Sequence, residues 1–457
     1  MTQLEELLAT WIPRQRWFAG KGAPIETVAV EAEHQIVTGD PALRLLVVRV
    51  RQHDLSSRYQ VLLGMCAEGG LRADLTHAVI GVCALPGLGS AHTVYDAAHD
   101  PELTALLLDH IAQGKGGRLR FHAVPGSVVR TGLRSLVLNG EQSNTSVVYG
   151  EEYVLKIFRR LWPGHNPDLE LNAALAGSAF VSPPHGWIET DLGDDEGHAV
   201  PTTLAMLQEY LRSATDGWVL AATSVRDLYD APGTPPGAAG GDFAGEAERL
   251  GSATAAVHRH LAQDLPTDVL SSRALQEVAR SMEERLRRAV AEVPQLKPYA
   301  GALRSAFEAF AEVDDPLPVQ RVHGDYHLGQ VVRTDTGWVL LDFEGEPGAP
   351  IDERQRLSSP LRDVAGMLRS FDYAARYQLV GNAHEDELAP VARDWARHNR
   401  DAFCAGYANG GGVDPEKHQA VLRAFEYDKA VYEVLYEARN RPTWLRIPLD
   451  SIAALAT

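Results

Sequence analysis

Cysteine is scarce in this chain, and the three present, Cys66, Cys83 and Cys404, have neither an even count nor metal-ligand spacing. That excludes a disulfide-stapled scaffold and a cysteine metal site, and reduced, packed thiols are expected. Positive charge is also short: Lys and Arg total 43 against 61 Asp and Glu, a formal charge of −18. A nucleic-acid backbone is therefore not an expected partner. Acidity favours solubility, and an anionic substrate must be met by local cations and a metal ion rather than by the overall field. No apolar run approaches the length of a membrane span, and the first residues, Met1 to Glu6, are acidic where a secretory signal is basic. The expectation is a cytoplasmic protein with no membrane partner. Walker and Gly-x-Gly-x-x-Gly sequences, internal repeats and useful coiled-coil runs are missing too. At 457 residues the chain exceeds one ordinary domain, which predicts two or three folding units with sizeable cores.

What is present concentrates in residues 322–347, VHGDYHLGQVVRTDTGWVLLDFEGEP. Asp325 sits in a His-Gly-Asp turn, Gln330 follows five positions later, and Asp342 ends the apolar run Trp338, Val339, Leu340, Leu341, so that two oxygen-bearing regions flank a predicted β-hairpin. Phosphoryl transfer asks little covalent chemistry of a protein. It needs a carboxylate to orient the acceptor hydroxyl and take its proton, and oxygen ligands for Mg²⁺. Asp325 suits the first task, Gln330 and Asp342 the second. The order base, amide, hairpin, aspartate is that of the protein-kinase catalytic loop, but Gln stands for Asn and Phe-Glu for Phe-Gly, which argues against a protein kinase. The alternative is structural: a plain turn, and an aspartate capping a strand end.

Upstream, Lys156 lies on a β-branched and aromatic run of strand type and is the candidate for gripping nucleotide phosphates. Such a lysine needs a carboxylate to hold it. Glu170, early in a predicted helix, is the first choice, with Asp168 competing. The segment Asn139, Gly140, Glu141, Gln142, Ser143, Asn144, Thr145, Ser146 lies where a phosphate-covering turn belongs, and Asn-Gly favours a tight turn. Backbone N–H groups and small polar side chains from Gln142 to Ser146 would donate to phosphate oxygens, although a polar hairpin tip without a ligand reads the same way.

Residues 1–91 read as a strand-rich cap, 92–205 as an intermediate, nucleotide-holding lobe and 206–457 as a mainly helical lobe. Within the cap, Trp17 and Phe18 are expected to anchor an initial helix. Residues 232–241 read as a flexible connection, after which Asp242 would cap a helix carrying Leu250, Val257 and Leu261. His258 on it is expected to be packed rather than catalytic. In a second helix marked by Leu275, Met282 and Leu286, the charged face including Arg285 is expected to be merely solvated. Asp363 is placed to hold the catalytic loop's backbone. A last helix is predicted from about Asp414-Pro415. On it Asp428, Tyr432, Tyr436 and Arg439 share one face, with Glu433 and Glu437 beside it, a mixture suited to a sugar or to an interhelical ion-pair network.

Taken together, Arg14 to Gly20, Glu141 to Ser146, Gly241 to Glu246, the catalytic segment and Tyr427 to Glu433 resemble the bacterial maltokinases, aminoglycoside-phosphotransferase-like sugar kinases, over nearly the whole chain. The resemblance implies an α+β, bilobal, eukaryotic-protein-kinase-like fold with an extra N-terminal cap. It implies transfer of the ATP γ-phosphate to the anomeric hydroxyl of maltose, giving maltose 1-phosphate for glycogen and α-glucan synthesis. Mg²⁺ would serve as metal, with Mn²⁺ an alternative because both accept oxygen ligands. Asp325, Asp428, Tyr432, Glu433, Tyr436 and Arg439 would meet maltose, and the stretch containing Gln208 and Tyr210 would be the adenine-facing hinge. A trehalose/maltose-interconverting enzyme is the implied partner. Two alternatives stay open: a glucosamine or aminoglycoside kinase, and a catalytically silent nucleotide-binding partner of a glycan-making enzyme.

Overall fold

Leu45, Leu46, Val47 and Val48 lie consecutively in the strand Ala42–Gln52, and all four are buried. A strand buried on both sides needs cover on both faces. Leu45 and Val47 enter a core shared with a second sheet, whereas Leu46 and Val48 pack with Leu4 and Leu8 of the helix Gln3–Trp11 and with Trp17 and Phe18. Trp17 and Phe18 meet Tyr59 at ring distances of 5.7 and 5.4 Å, the anchoring role expected of that motif.

The computed structural model describes residues 2–53, 55–84, 91–138, 143–194, 196–239 and 241–455. It divides into two units, Met1–Glu170 with Pro183–Arg212, and Leu171–Ser182 with Ser213–Thr457. The first unit holds two sheets. One runs Thr27–Val37, Ala42–Gln52, Leu55–Ala67, Ala91–Asp96, Val79–Ala84, with the short strand Arg160–Leu161 also paired to Leu55–Ala67. The other runs Leu119–Ala123, Pro184–Gly193, Ala199–Glu209, Tyr153–Ile157, Thr145–Tyr149, Ser135–Val137. The helix Pro101–Gln113, begun by Asp100 accepting from the Glu102 N–H, adds Leu103, Leu107, Leu108 and Ile111 to the shared core.

The second unit is mainly helical, with the small sheet Thr215–Asp216, Val331–Arg333, Trp338–Leu340 inserted. The hairpin read from the sequence is this sheet's Val331–Arg333 and Trp338–Leu340 pair. Three local expectations change. The helix after the Gly-rich connection is Ala244–Asp264 with Phe243 at its cap position, and Asp242 instead accepts from the Ala244 N–H at 3.0 Å. The last long helix is Gln419–Asn440, starting after Asp414 because that carboxylate accepts from the Glu416 N–H and builds a turn. Arg285 on the helix Ser272–Glu292 is not simply solvated: it makes two hydrogen bonds to Asp428, at 2.8 and 2.6 Å. Burial pushes the Cys404 thiol up to about 12, and all three cysteines are free thiols. Among the described residues no helix is long and apolar enough to cross a membrane.

Candidate active site

The segment 322–347 that bears the candidate residues is held by the helix Leu361–Arg376. Asp363 Oδ2 accepts from the His323 N–H at 2.7 Å and Oδ1 from the Gly324 N–H at 2.9 Å, while His258 Nε2 lies 2.9 Å from Oδ2. Burial opposes charge on Asp363, but His258 and these donors hold its carboxyl below the usual range. His258 is thus packed, its other nitrogen 2.8 Å from the Tyr407 hydroxyl. Two glycines permit the approach. A Cβ on Gly366 would stand 2.5 Å from the Tyr326 carbonyl oxygen, and Gly324, at φ +84°, would place one 3.1 Å from Gly345 Cα. Leu328 N–H donates to Ser370 Oγ at 3.0 Å, which fixes the loop's far end.

Asp325 then faces Lys429, whose Nζ is 3.0 Å from Oδ1. Burial alone would raise this carboxyl, but the ammonium of Lys429 and the nearby His327 outweigh it and bring it below the ordinary carboxylate range. An aspartate whose ionised form is favoured in this way is suited to orienting a hydroxyl and taking its proton late in the transfer. His327 is pushed down by burial, and its Nδ1 accepts from the Gly329 N–H at 3.1 Å. Gln330 and Asp342 come together across the hairpin: Gln330 Nε2 is 3.3 Å from Asp342 Oδ2, and the Leu341 N–H donates to Gln330 O at 2.9 Å. Asp342 adopts φ +65°, a left-handed conformation rare outside glycine, and such strain is met at functional positions. An amide and a carboxylate held this way are hard oxygen donors of the kind Mg²⁺ takes, so the pair fits the metal that this chemistry needs.

In the first unit Lys156 is buried, and its Nζ is 2.8 Å from Asp168 Oδ2, the competing candidate of the sequence reading. Asp168 and Glu170 share the first turn of the helix Pro167–Ala174, opened by Asn166, whose Oδ1 accepts from the Asp168 N–H at 2.8 Å. Ser146 stands directly across from Lys156 in the strand register. Of the expected phosphate turn, Gln142 lies outside the described residues. Ser143 is exposed, Asn144 is buried, and the Thr145 hydroxyl accepts from Arg159 Nε at 2.8 Å, so it is engaged within the protein rather than presented outward. In the expected hinge, Gln208 is the next-to-last residue of the strand Ala199–Glu209, opposite Val154, while the Tyr210 N–H donates to Glu152 O at 2.8 Å and is not available to adenine.

The candidate acceptor residues divide. Asp428 takes Arg285, and Glu433, half-buried, takes Arg369 at 2.6 Å. Arg439 pairs with Glu292 at 2.6 Å on an exposed face, and Glu437 binds Arg441 at 2.6 Å. For Asp428, Glu433 and Arg439 the interhelical ion-pair reading is the one realised, while Glu437 pairs within its own helix end, four residues along the chain. Tyr432 and Tyr436 stack at 6.2 Å, and Lys429 Nζ lies 4.9 Å from the Tyr432 ring. Sequence reasoning missed Lys429, Arg285 and Glu346. Glu346 is 3.6 Å from Arg362, and burial, against the pull of Lys429 and Arg362, keeps its carboxyl above the usual range. Lys429, beside Asp428 and three residues before Tyr432, and Glu346, inside the segment 322–347, had a local signal; Arg285 had none.

Residues 11–100 match the family model of the maltokinase N-terminal cap domain, and residues 232–420 that of the phosphotransferase enzyme family. A glucosamine kinase of Streptacidiphilus jiangxiensis is 32% identical over 354 residues, covering 73% of this chain and 76% of the relative. The chain belongs to the aminoglycoside-phosphotransferase-like sugar kinase family. A second relative, the glucosamine kinase of Mycolicibacterium smegmatis (strain ATCC 700084 / mc(2)155), is 29% identical over 328 residues, covering 69% of this kinase and 78% of the relative. Among solved structures, a glucosamine kinase in complex with glucosamine, ADP and inorganic phosphate aligns over 100% of both chains with a TM-score of 0.67 and 26% identity. Crystal form B of a glucosamine kinase aligns over 99% of both with a TM-score of 0.70, again at 26% identity. The kinase therefore has the aminoglycoside-phosphotransferase-like fold of mixed helices and sheets with a maltokinase-type cap at its N-terminus, and it is an ATP-dependent kinase acting on sugars or amino sugars.

Proposed function

We propose that this kinase transfers the γ-phosphoryl group of ATP to the anomeric hydroxyl of maltose, yielding maltose 1-phosphate and ADP. The observation that carries the acceptor is the charge balance around Asp325. Each carboxylate of the cluster already faces a cation: Asp325 with Lys429, Asp428 with Arg285, Glu346 with Arg362. A set so balanced favours neutral hydroxyls over an ammonium, and the stacked Tyr432 and Tyr436 offer an aromatic face for a sugar ring. Asp325 orients the anomeric hydroxyl and accepts its proton as the O–P bond forms and the bond to ADP breaks. Gln330 and Asp342 would hold Mg²⁺, or Mn²⁺, which when bound neutralises charge on the phosphate oxygens. Lys156 steadied by Asp168, Ser143, Asn144 and Ser146, with Glu170 and Gln208 beyond, are assigned to the nucleotide, and Tyr210, its N–H held by Glu152, shapes the hinge without donating to adenine. Thr145 supports them from within. Glu433 and Arg439 act on the acceptor through the helix Gln419–Asn440 rather than by direct contact.

The division into a cap over 1–91, a nucleotide-holding lobe over 92–205 and a helical lobe over 206–457 belongs to the same proposal, as does a cytoplasmic setting. A maltose acceptor further implies supply by a trehalose/maltose-interconverting enzyme and use of the product in α-glucan assembly. A second reading, a glucosamine kinase, is favoured by the names of the relatives. Steady-state ADP release with each sugar separates them. A kcat/KM for maltose well above that for glucosamine supports the proposal; a glucosamine kcat/KM at least about tenfold higher, a difference of about 1.4 kcal/mol in transition-state binding, overturns it.

A further inference from the structure

The chain leaves the lysine strand Tyr153–Ile157 through Phe158 and Arg159 and then joins the first sheet as Arg160–Leu161, paired with Arg58 and Tyr59. Arg159 is fully buried at this crossing. Its Nη2 is 2.6 Å from Asp96 Oδ2 at the end of Ala91–Asp96, its Nε donates to Thr145 Oγ1 at 2.8 Å, and the Trp17 ring lies 5.2 Å from the guanidinium carbon. Nη1 is buried without a hydrogen-bond partner. Apolar side chains at positions 159 and 96 together would fill this volume without desolvating an ion pair or leaving an N–H unmatched, so stability alone does not account for the pair. What it adds is direction.

That direction is passed to the residues assigned to the phosphates. Thr145 begins the strand Thr145–Tyr149 and pairs with Ile157, and its neighbour Ser146 pairs with Lys156. The backbone on both sides of Arg159 is clamped from the first sheet by Gln60: its N–H donates to Arg159 O at 2.8 Å, and its Nε2 donates to Phe158 O at 2.7 Å and to Leu204 O.

We propose that Arg159 is a positioning residue through which Trp17 of the cap, together with Asp96 at the end of the first sheet's strand Ala91–Asp96, sets the start of the Thr145 strand and the height of Lys156, so that the grip on the nucleotide's phosphates depends on the cap. This rests on the reading that the second sheet of the first unit holds the phosphates. The test is calorimetric titration of Mg·ADP into the full-length Trp17→Leu, Thr145→Val, Thr145→Ser and Lys156→Ala variants, with Tm measured beside it. Thr145→Val, which loses one charge-assisted hydrogen bond, and Trp17→Leu, which loses the cation–π contact, are expected to raise the Kd roughly tenfold, while Thr145→Ser, which keeps the oxygen, binds as the parent does. A merely structural role lowers Tm and leaves the Kd of the folded protein unchanged, and that result overturns the proposal. If Lys156→Ala alone weakens binding, only the link to the cap fails; if it too binds normally, the phosphate assignment of this sheet fails with it.

Discussion

Lys429→Met keeps the length and apolar stem of the side chain but withdraws the ammonium 3.0 Å from Asp325 Oδ1. The two side chains are 21% and 17% exposed, so the pair is largely shielded yet still reached by water. Removing one partner of a buried pair costs about 3–5 kcal/mol, and the residual exposure puts the expected loss near the lower figure. Asp325 avoids part of that cost by taking up a proton. In the parent, burial works against its charge and Lys429 outweighs burial, so the folded carboxyl lies below the unfolded one. Its contribution to stability is present above the unfolded value and is lost as pH falls through the folded one. In the variant burial loses its main opponent, the carboxyl shifts upward, and the acid limb of kcat/KM moves to higher pH. The activity deficit is then greatest in mild acid, approaching the roughly 10²–10⁴-fold contribution of a general base, and shrinks toward alkaline pH as Asp325 ionises again. Glu346, already raised by burial and held down in part by Lys429, also shifts upward, so the profile is recorded in a Glu346→Gln background as well. A folded Lys429→Met enzyme with the parent's acid limb, or with a deficit independent of pH, refutes the reasoning.

Gly366→Ala places a methyl group 2.5 Å from the Tyr326 carbonyl oxygen, which a backbone atom cannot evade cheaply. A stability loss of about 1–3 kcal/mol is expected, seen as a lower urea midpoint, together with reduced kcat from the displaced loop. Arg285→Met leaves Asp428 without its two hydrogen bonds and tilts the cluster toward negative charge; the maltose KM is expected to rise roughly tenfold while Mg·ADP affinity is unchanged. An unchanged maltose KM counts against the charge-balance argument for the acceptor.

The parts legible in the sequence were those whose signals are local. The hairpin bearing Gln330 and Asp342 follows from an apolar run bounded by turn residues, and the helix starting at Ala244 from the spacing of Leu250, Val257 and Leu261. Asp363 was readable because a carboxylate on a helix after a catalytic loop has few other uses. What escaped was set by tertiary contact. Arg285 looks like any solvated arginine on a charged helix face until Asp428 arrives from another helix, 143 positions away in the chain. Likewise Glu433 fits a sugar site by spacing, but Arg369 is the partner that folding supplies. Neither periodicity nor composition carries such pairings. The offset at Asp414 has a different origin, since Asx geometry supports a turn as readily as a helix start.

The central claim is most directly tested by phosphorus NMR of the products formed from Mg·ATP with maltose, glucose, glucosamine and kanamycin in turn, with Asp325→Asn as the control. A new anomeric phosphate resonance that requires maltose and vanishes in the folded Asp325→Asn enzyme is the predicted result. Phosphorylation of an amino sugar with none on maltose contradicts the acceptor assignment, and undiminished product from Asp325→Asn contradicts the catalytic one.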